Sequence, residues 1–176
     1  RYQFGIDISA DWKGFDFRAF FQGVMKRDYW PTTRNSYFWG ATCENVWYAV
    51  GFKQHLDYYR AEPYYGLDTN IDSYYPRPLQ GNSKNVQKQT RYLQDASYIR
   101  LKNLQIGYTL PSNLTSRFGI AKLRVFFSGE NLWTGTKLPD MLDPETIFGG
   151  VSTGAGLNGQ AYPISKSLSV GVNVTL

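Results

Sequence analysis

Apolar and polar residues alternate at a period of two through five segments of the chain. In residues 2–10, Phe4, Ile6, Ile8 and Ala10 fall on one side, with Gln3, Gly5, Asp7 and Ser9 on the other. Residues 14–26 set Phe15, Phe17, Ala19, Phe21 and Met25 against Asp16, Arg18, Gln22 and Lys26, with Phe20 and Val24 breaking the polar side. Residues 103–110 set Leu104, Ile106, Tyr108 and Leu110 against Asn103, Gln105, Gly107 and Thr109. Residues 122–133 set Leu123, Val125, Phe127 and Trp133 against Lys122, Arg124, Ser128 and Glu130. The clearest segment, residues 165–176, sets Leu168, Val170, Val172, Val174 and Leu176 against Ser167, Ser169, Gly171, Asn173 and Thr175. Strict alternation predicts strands whose two faces meet chemically different surroundings. No apolar stripe of helical period reaches comparable length.

The connections sharpen this picture. Asp11, Trp12 and Lys13 make a tight link between the first two segments, and residues 111–121 make a moderate turn rich in Pro, Ser, Asn and Gly. Roughly seventy residues separate the second segment from the third and roughly thirty the fourth from the fifth, lengths that ordinarily argue against an element assignment. Here short and long connections take turns, so both short ones are expected at one end of a meander and both long ones at the other. A membrane barrel has that asymmetry, with short periplasmic turns, long extracellular loops and strands of about 9–11 residues that are apolar outside and polar inside. Tyr2, Tyr29, Trp30 and Trp133 then fall near one interface and Trp12 and Tyr108 near the other, where an aromatic body with a polar tip is favoured.

Composition supports a barrel segment and excludes other classes. Mean hydropathy is −0.43, and no apolar run approaches the roughly 18 residues of a membrane-spanning helix. Five strands fall short of the about eight that close the smallest membrane barrel. The chain starts at Arg1 within a strand-like run, so the expectation is that residues 1–176 are the C-terminal portion of a longer barrel whose earlier strands and plug lie elsewhere. Aromatic residues make up 17% of the chain. The net charge of +5 is scattered over loops and strand faces, which excludes a clustered nucleic-acid footprint. Cys43 is the single cysteine, so no internal disulfide forms, and it reads as a small loop residue.

Candidate chemistry is sparse. His55 is the lone histidine, and with Cys43 it lacks the company that a nucleophilic triad or a zinc site requires. Gly154, Gly156 and Gly159 match G-x-G-x-x-G, but without a preceding strand and following helix they read as loop glycines. Asp7, Asp16, Arg18, Lys122, Arg124 and Glu130 all fall on polar strand sides. Mixed signs suit an ion-paired lumen wall better than a glycosidase pair, which needs two carboxylates about 5–9.5 Å apart. Trp30, Trp39, Trp47, Tyr58, Tyr59, Tyr64, Tyr65, Tyr74 and Tyr75 crowd the longer loop. They are candidates for substrate or partner contact, weighed against simple packing of the loop. Residues 44–60 could form a short helix. No catalytic, cofactor or metal residue is assigned.

Several stretches carry a family resemblance. ASYIRLKNLQIGYTLP (residues 96–111) is close to a signature of the C-terminal barrel of SusC/RagA-type TonB-dependent outer-membrane transporters of Bacteroidetes. LRVFFSGENL (123–132), the terminal SLSVGVNVTL, residues 4–28 with their DWKGFDFRAFFQGVMKRD, and the Tyr75-Pro76-Arg77 step resemble the same region. One feature departs from it, because such barrels usually end in an aromatic residue and this chain ends in Leu176. The resemblance implies an all-β fold, about five antiparallel strands belonging to a 22-stranded barrel. It implies a multi-pass outer-membrane importer of oligosaccharides or peptides, without enzymatic activity. A SusD-like surface lipoprotein would be its lid, TonB would drive it through a plug domain, and transporter–lipoprotein pairs could dimerise. The competing reading is a soluble all-β carbohydrate-binding module, whose apolar faces would meet each other in a core.

Overall fold

The computed structural model describes residues 2–43, 50–79, 83–147 and 161–176. The strands among them are β1 (Gln3–Trp12), β2 (Phe15–Val24), β3 (Asp28–Tyr29), β4 (Gln94–Asp95), β5 (Tyr98–Thr109), β6 (Lys122–Thr136) and β7 (Ser167–Thr175). Two compact units divide the chain. One comprises Arg1–Arg27, Ser97–Thr136 and Ile164–Leu176; the other comprises Asp28–Ala96 and Lys137–Pro163.

The first unit is an antiparallel sheet of order β1-β2-β5-β6-β7, so all five expected strands form and pair in chain order. Register fixes their faces, because directly opposed residues of an antiparallel pair point the same way. Ala10 opposes Phe17, Phe17 opposes Ile106, Ile106 opposes Phe127 and Phe127 opposes Val170. One continuous apolar row therefore crosses the whole sheet. On the other side, Ser9 opposes Arg18, Arg18 opposes Gln105, Gln105 opposes Ser128 and Ser128 opposes Ser169. Phe4, Phe17, Val125 and Val172 share the apolar face, and Asp7, Arg18, Arg124 and Asn173 share the polar one. The apolar face is open to its surroundings: Leu168 is 67% exposed, Val170 76% and Trp12 67%.

Sequence periodicity places the start of β5 at residue 103, and the structure begins it at Tyr98. The reason is a bulge at Lys102, where the pairing shifts between Phe20/Phe21 and between Leu101/Asn103. An extra residue reverses the phase of the alternation, so Leu101 and Ile99 join the apolar face although the strict period would turn them away. The tight link is also shorter than expected. Trp12 pairs with Phe15 inside the ladder, leaving Lys13 and Gly14 at φ 47° and 89°. Two consecutive positive φ values define a type I′ hairpin, whose twist matches that of the strands. Between β5 and β6 the chain makes a short helix, α2 (Ser112–Thr115), and one 3₁₀ turn. Both short turns close one end of the sheet, and both long connections leave from the other, after Val24 and after Thr136.

The second unit shows that the long loops are not structureless. Its centre is an aromatic cluster of Tyr29, Phe38, Trp39, Tyr75 and Tyr92, joined by Cys43, Val86, Ala96, Leu138, Leu142 and Ile147. Asn35 starts the short helix α1 (Ser36–Trp39) by accepting the Phe38 N–H at 3.0 Å, and its amide donates to the Tyr29 hydroxyl at 2.7 Å. That cap delivers Phe38 and Trp39 into the cluster, where Phe38 meets Trp39, Tyr74, Tyr75 and Tyr92 edge-on at 4.9–6.4 Å. Edge-to-face geometry sets the positive ring edge against the negative face. Cys43 lies in this long connection, as expected, and is fully buried in its core. Of the helix expected over residues 44–60, residues 44–49 lie outside the described residues. In the remainder, only a 3₁₀ turn over Lys53–Leu56 forms.

Phe38 is fully buried, so Phe38→Ala should cost about 3–5 kcal/mol. The expected readout is rapid protease cleavage and lost amide protection within residues 28–96, with the five-stranded sheet retained.

Candidate functional site

Two regions collect the candidate residues. The first is the polar face of the sheet, where Asp7, Asp16, Arg18, Arg124 and Glu130 all lie. Arg18 donates to both carboxylate oxygens of Asp7, at 3.2 Å and 2.6 Å. Arg124 reaches Asp16 in the same two-pronged way, at 2.9 Å and 2.5 Å. A planar guanidinium matches both oxygens of a carboxylate at once. Each of these two aspartates is thus tied to its own arginine. Glu130 accepts the Ser167 hydroxyl at 3.1 Å.

The Asp16–Arg124 pair joins β2 to β6 across the intervening strand β5. It lies directly over Gly107, where an added Cβ would collide with both Asp16 and Arg124. A residue without a side chain is needed there so that the pair can cross the strand. The sequence contains this glycine and both charges, but their separation of 108 positions gives no local signal. Two aromatic rings complete the face: Phe20, which breaks the polar pattern, covers Gly5, and Phe126 covers Gly171.

The second region belongs to the long-loop unit. Trp39 and Tyr75 are 1% and 5% exposed and form its core, and Trp30 and Tyr74 pack against that core. Tyr29, expected at a membrane interface, is also in that core. Trp47 and the glycines of the G-x-G-x-x-G match lie outside the described residues. Tyr59, Tyr64 and Tyr65 are exposed, at 40%, 61% and 89%, while Tyr58 is half-buried beneath the Arg60 guanidinium, 4.5 Å above its ring. Tyr58, Tyr59 and Tyr64 line an open cleft of about 580 Å³ together with Arg60, Glu62, Pro63, Arg77 and Pro78. Sequence reasoning named the tyrosines and missed the charged residues beside them. The cleft is assembled by single bridges, Tyr58 with Tyr75 and Arg60 with Asn70, which have no periodic signature.

His55 performs a structural task. Its Nδ1 accepts the Phe52 N–H at 3.1 Å, so Nε2 carries the proton and donates to the carbonyls of Tyr37 and Phe38, at 3.0 Å and 3.1 Å. Burial pushes its pKa below the ordinary value, against a smaller upward pull from these carbonyls. Burial likewise raises the Tyr75 hydroxyl above the usual phenol range. No group of three or more His, Cys, Asp or Glu side chains among the described residues could hold a metal ion.

A histidine whose folded pKa is depressed favours folding in its neutral form. The unfolded chain takes up the proton first as pH falls through the ordinary value of about 6.5. The segment around His55 should therefore be fully protected above pH 6.5 and loosen progressively below it. Hydrogen exchange of residues 50–60 against pH checks this, and His55→Gln should flatten the dependence.

The chain matches no family model. It is 34% identical over 111 residues to TonB-dependent receptor P3 of Formosa agariphila, covering 60% of this chain and 11% of the relative. It is 28% identical over 179 residues to TonB-dependent receptor P26 of the same organism, covering 98% of this chain and 16% of the relative. Among solved structures, the RagAB peptide transporter superposes with a TM-score of 0.64 at 26% identity, covering 97% of this chain and 16% of that one. The RagAB peptide importer in its open-open state gives a TM-score of 0.61 at 27% identity, covering 99% and 17%. The chain thus spans about a sixth or less of the proteins it matches. Its two-faced meander, its signature stretch over β5 and these relatives agree: the chain is similar, in sequence and in fold, to a barrel segment of TonB-dependent receptors and of the RagAB transporter.

Proposed function

We propose that the chain is the C-terminal part of the barrel of an outer-membrane importer. In this reading, earlier strands, to a total of about 22 by family resemblance, close the wall. A plug domain coupled to TonB fills the lumen, and a SusD-like surface lipoprotein covers the extracellular mouth. The observation that carries the reading is the division of the sheet into an open apolar face and an ion-paired polar face. Lipid accounts for the first and a hydrated lumen for the second. A soluble carbohydrate-binding module would bury the apolar row under a second layer, yet that row is open here.

Import in this account involves no covalent chemistry. Loop residues capture the solute, the lipoprotein closes over it, and rearrangement of the plug opens a path along the polar wall. The partners in Asp7–Arg18 and in Asp16–Arg124 neutralise one another within that wall, and Glu130, held by the Ser167 hydroxyl, keeps its charge toward a passing solute. The names of the structural neighbours favour a peptide over an oligosaccharide as that solute.

Neighbouring positions on β7 separate the two faces. In the full-length protein, Val172→Arg should cost about 2–4 kcal/mol near the bilayer midplane. Asn173→Arg, which stays on the polar face, should be tolerated. The measure is the fraction of receptor recovered folded from outer membranes; equal recovery of the two variants would contradict the assignment of faces.

A further inference from the structure

We infer that the cleft walled by Tyr58, Tyr59 and Tyr64 seats a short peptide, with Arg77 taking a carboxylate of the ligand and Glu62 a cationic group. This rests on the importer reading and adds to it a site and a mode of recognition.

The cleft is braced in advance of any ligand. Arg60 donates from Nε to the Asp68 carbonyl at 2.8 Å and from a terminal nitrogen to the Leu56 carbonyl at 2.6 Å. Its backbone exchanges both hydrogen bonds with Asn70, at 2.9 Å and 2.8 Å. The Asn70 amide donates to Asp57 at 2.8 Å, and the other oxygen of that carboxylate accepts the Tyr74 N–H at 3.1 Å. Arg60 is thereby consumed as a strut. Glu62 and Arg77 differ from it, because neither side chain has a hydrogen bond or ion pair among the described residues. One charge of each sign therefore faces a pocket of Tyr and Pro side chains. Its volume, about 580 Å³, lies within the ordinary range of ligand sites, roughly 300–1,000 Å³. A peptide carries both complementary charges and apolar side chains that fit between tyrosine rings; a neutral oligosaccharide offers neither charge.

The turn that follows the cleft residue Tyr64 provides a second observation. Tyr64 and Leu67 exchange both backbone hydrogen bonds, at 2.9 Å and 3.0 Å, around a two-residue tip of Tyr65 and Gly66. Tyr65 sits at φ 47°, a left-handed conformation that Asn, Asp or Gly adopts far more readily. It is 89% exposed and meets Tyr64 in an edge-on ring contact at 4.6 Å. Packing therefore gives little return for the strain, and such unreturned strain concentrates at binding positions. Presenting a ring to a ligand beside Tyr64 supplies the missing reason.

The test uses the full-length receptor in detergent and four probes: a tetrapeptide with free termini, its C-terminally amidated form, its N-acetylated form, and a neutral tetrasaccharide. Arg77→Gln should weaken the free peptide about tenfold and leave the amidated one unchanged, and Glu62→Gln should do the same with respect to the acetylated one. Tyr65→Asn should weaken every peptide while raising resistance of the loop to protease, a combination that a purely structural tyrosine would not give. Unchanged affinities in all three variants, tighter binding of the sugar than of the peptides, or no peptide binding by the parent would each overturn the inference. Peptide uptake that survives in all three variants sinks the cleft and leaves the importer. Binding that responds as expected in a receptor that imports nothing sinks the importer and leaves the cleft.

Discussion

A strand crossing hydrocarbon must satisfy every backbone N–H and C=O against neighbouring strands, because no water is available to do so. In this chain the requirement acts together with alternation of side chains. β2, β5 and β6 are paired on both edges, and β1 and β7 on one edge each. With the ladder fixed, each successive side chain has no choice of face, so five runs of alternating residues become one apolar surface and one polar surface. The bulge at Lys102 marks where the chain departs from strict alternation and still keeps Leu101 and Ile99 on the apolar side.

The polar surface answers a second requirement. Charges lining a lumen are less costly when paired, and two bidentate aspartate–arginine pairs do this across strands. The pair over Gly107 links β2 to β6, so it also opposes sliding of β5 between them. Gly107 lies inside the stretch most characteristic of the family, and the crossing of Asp16 and Arg124 gives a physical reason for a glycine at that position. The apolar Phe20 and Phe126 on this same face cover glycines of adjacent strands rather than standing free.

What could be read in advance follows from periodicity. The five strands, their faces and the alternation of short and long connections were legible because a period of two is a local signal. The start of β5 was not, because a bulge erases the phase. The long-loop unit was least legible. Its core depends on a capped single turn at Asn35, on 3₁₀ turns and on isolated bridges, none of which imposes a period. Aromatic crowding pointed to this segment, but it could not separate Trp39 and Tyr75, which are core, from Tyr59, Tyr64 and Tyr65, which are displayed. Nor could it show that His55 spends both ring nitrogens on backbone groups, or that Glu62 and Arg77 meet at one cleft.

The most direct test of the central claim is a scan of single labelling cysteines along residues 168–174 of β7, in the full-length receptor carrying Cys43→Ala and reconstituted in lipid vesicles. Fluorophores at positions 168, 170, 172 and 174 should be quenched by a bromine-bearing lipid, and those at 169, 171 and 173 by an aqueous ion. Loss of this two-residue rhythm, or its inversion, would contradict the account.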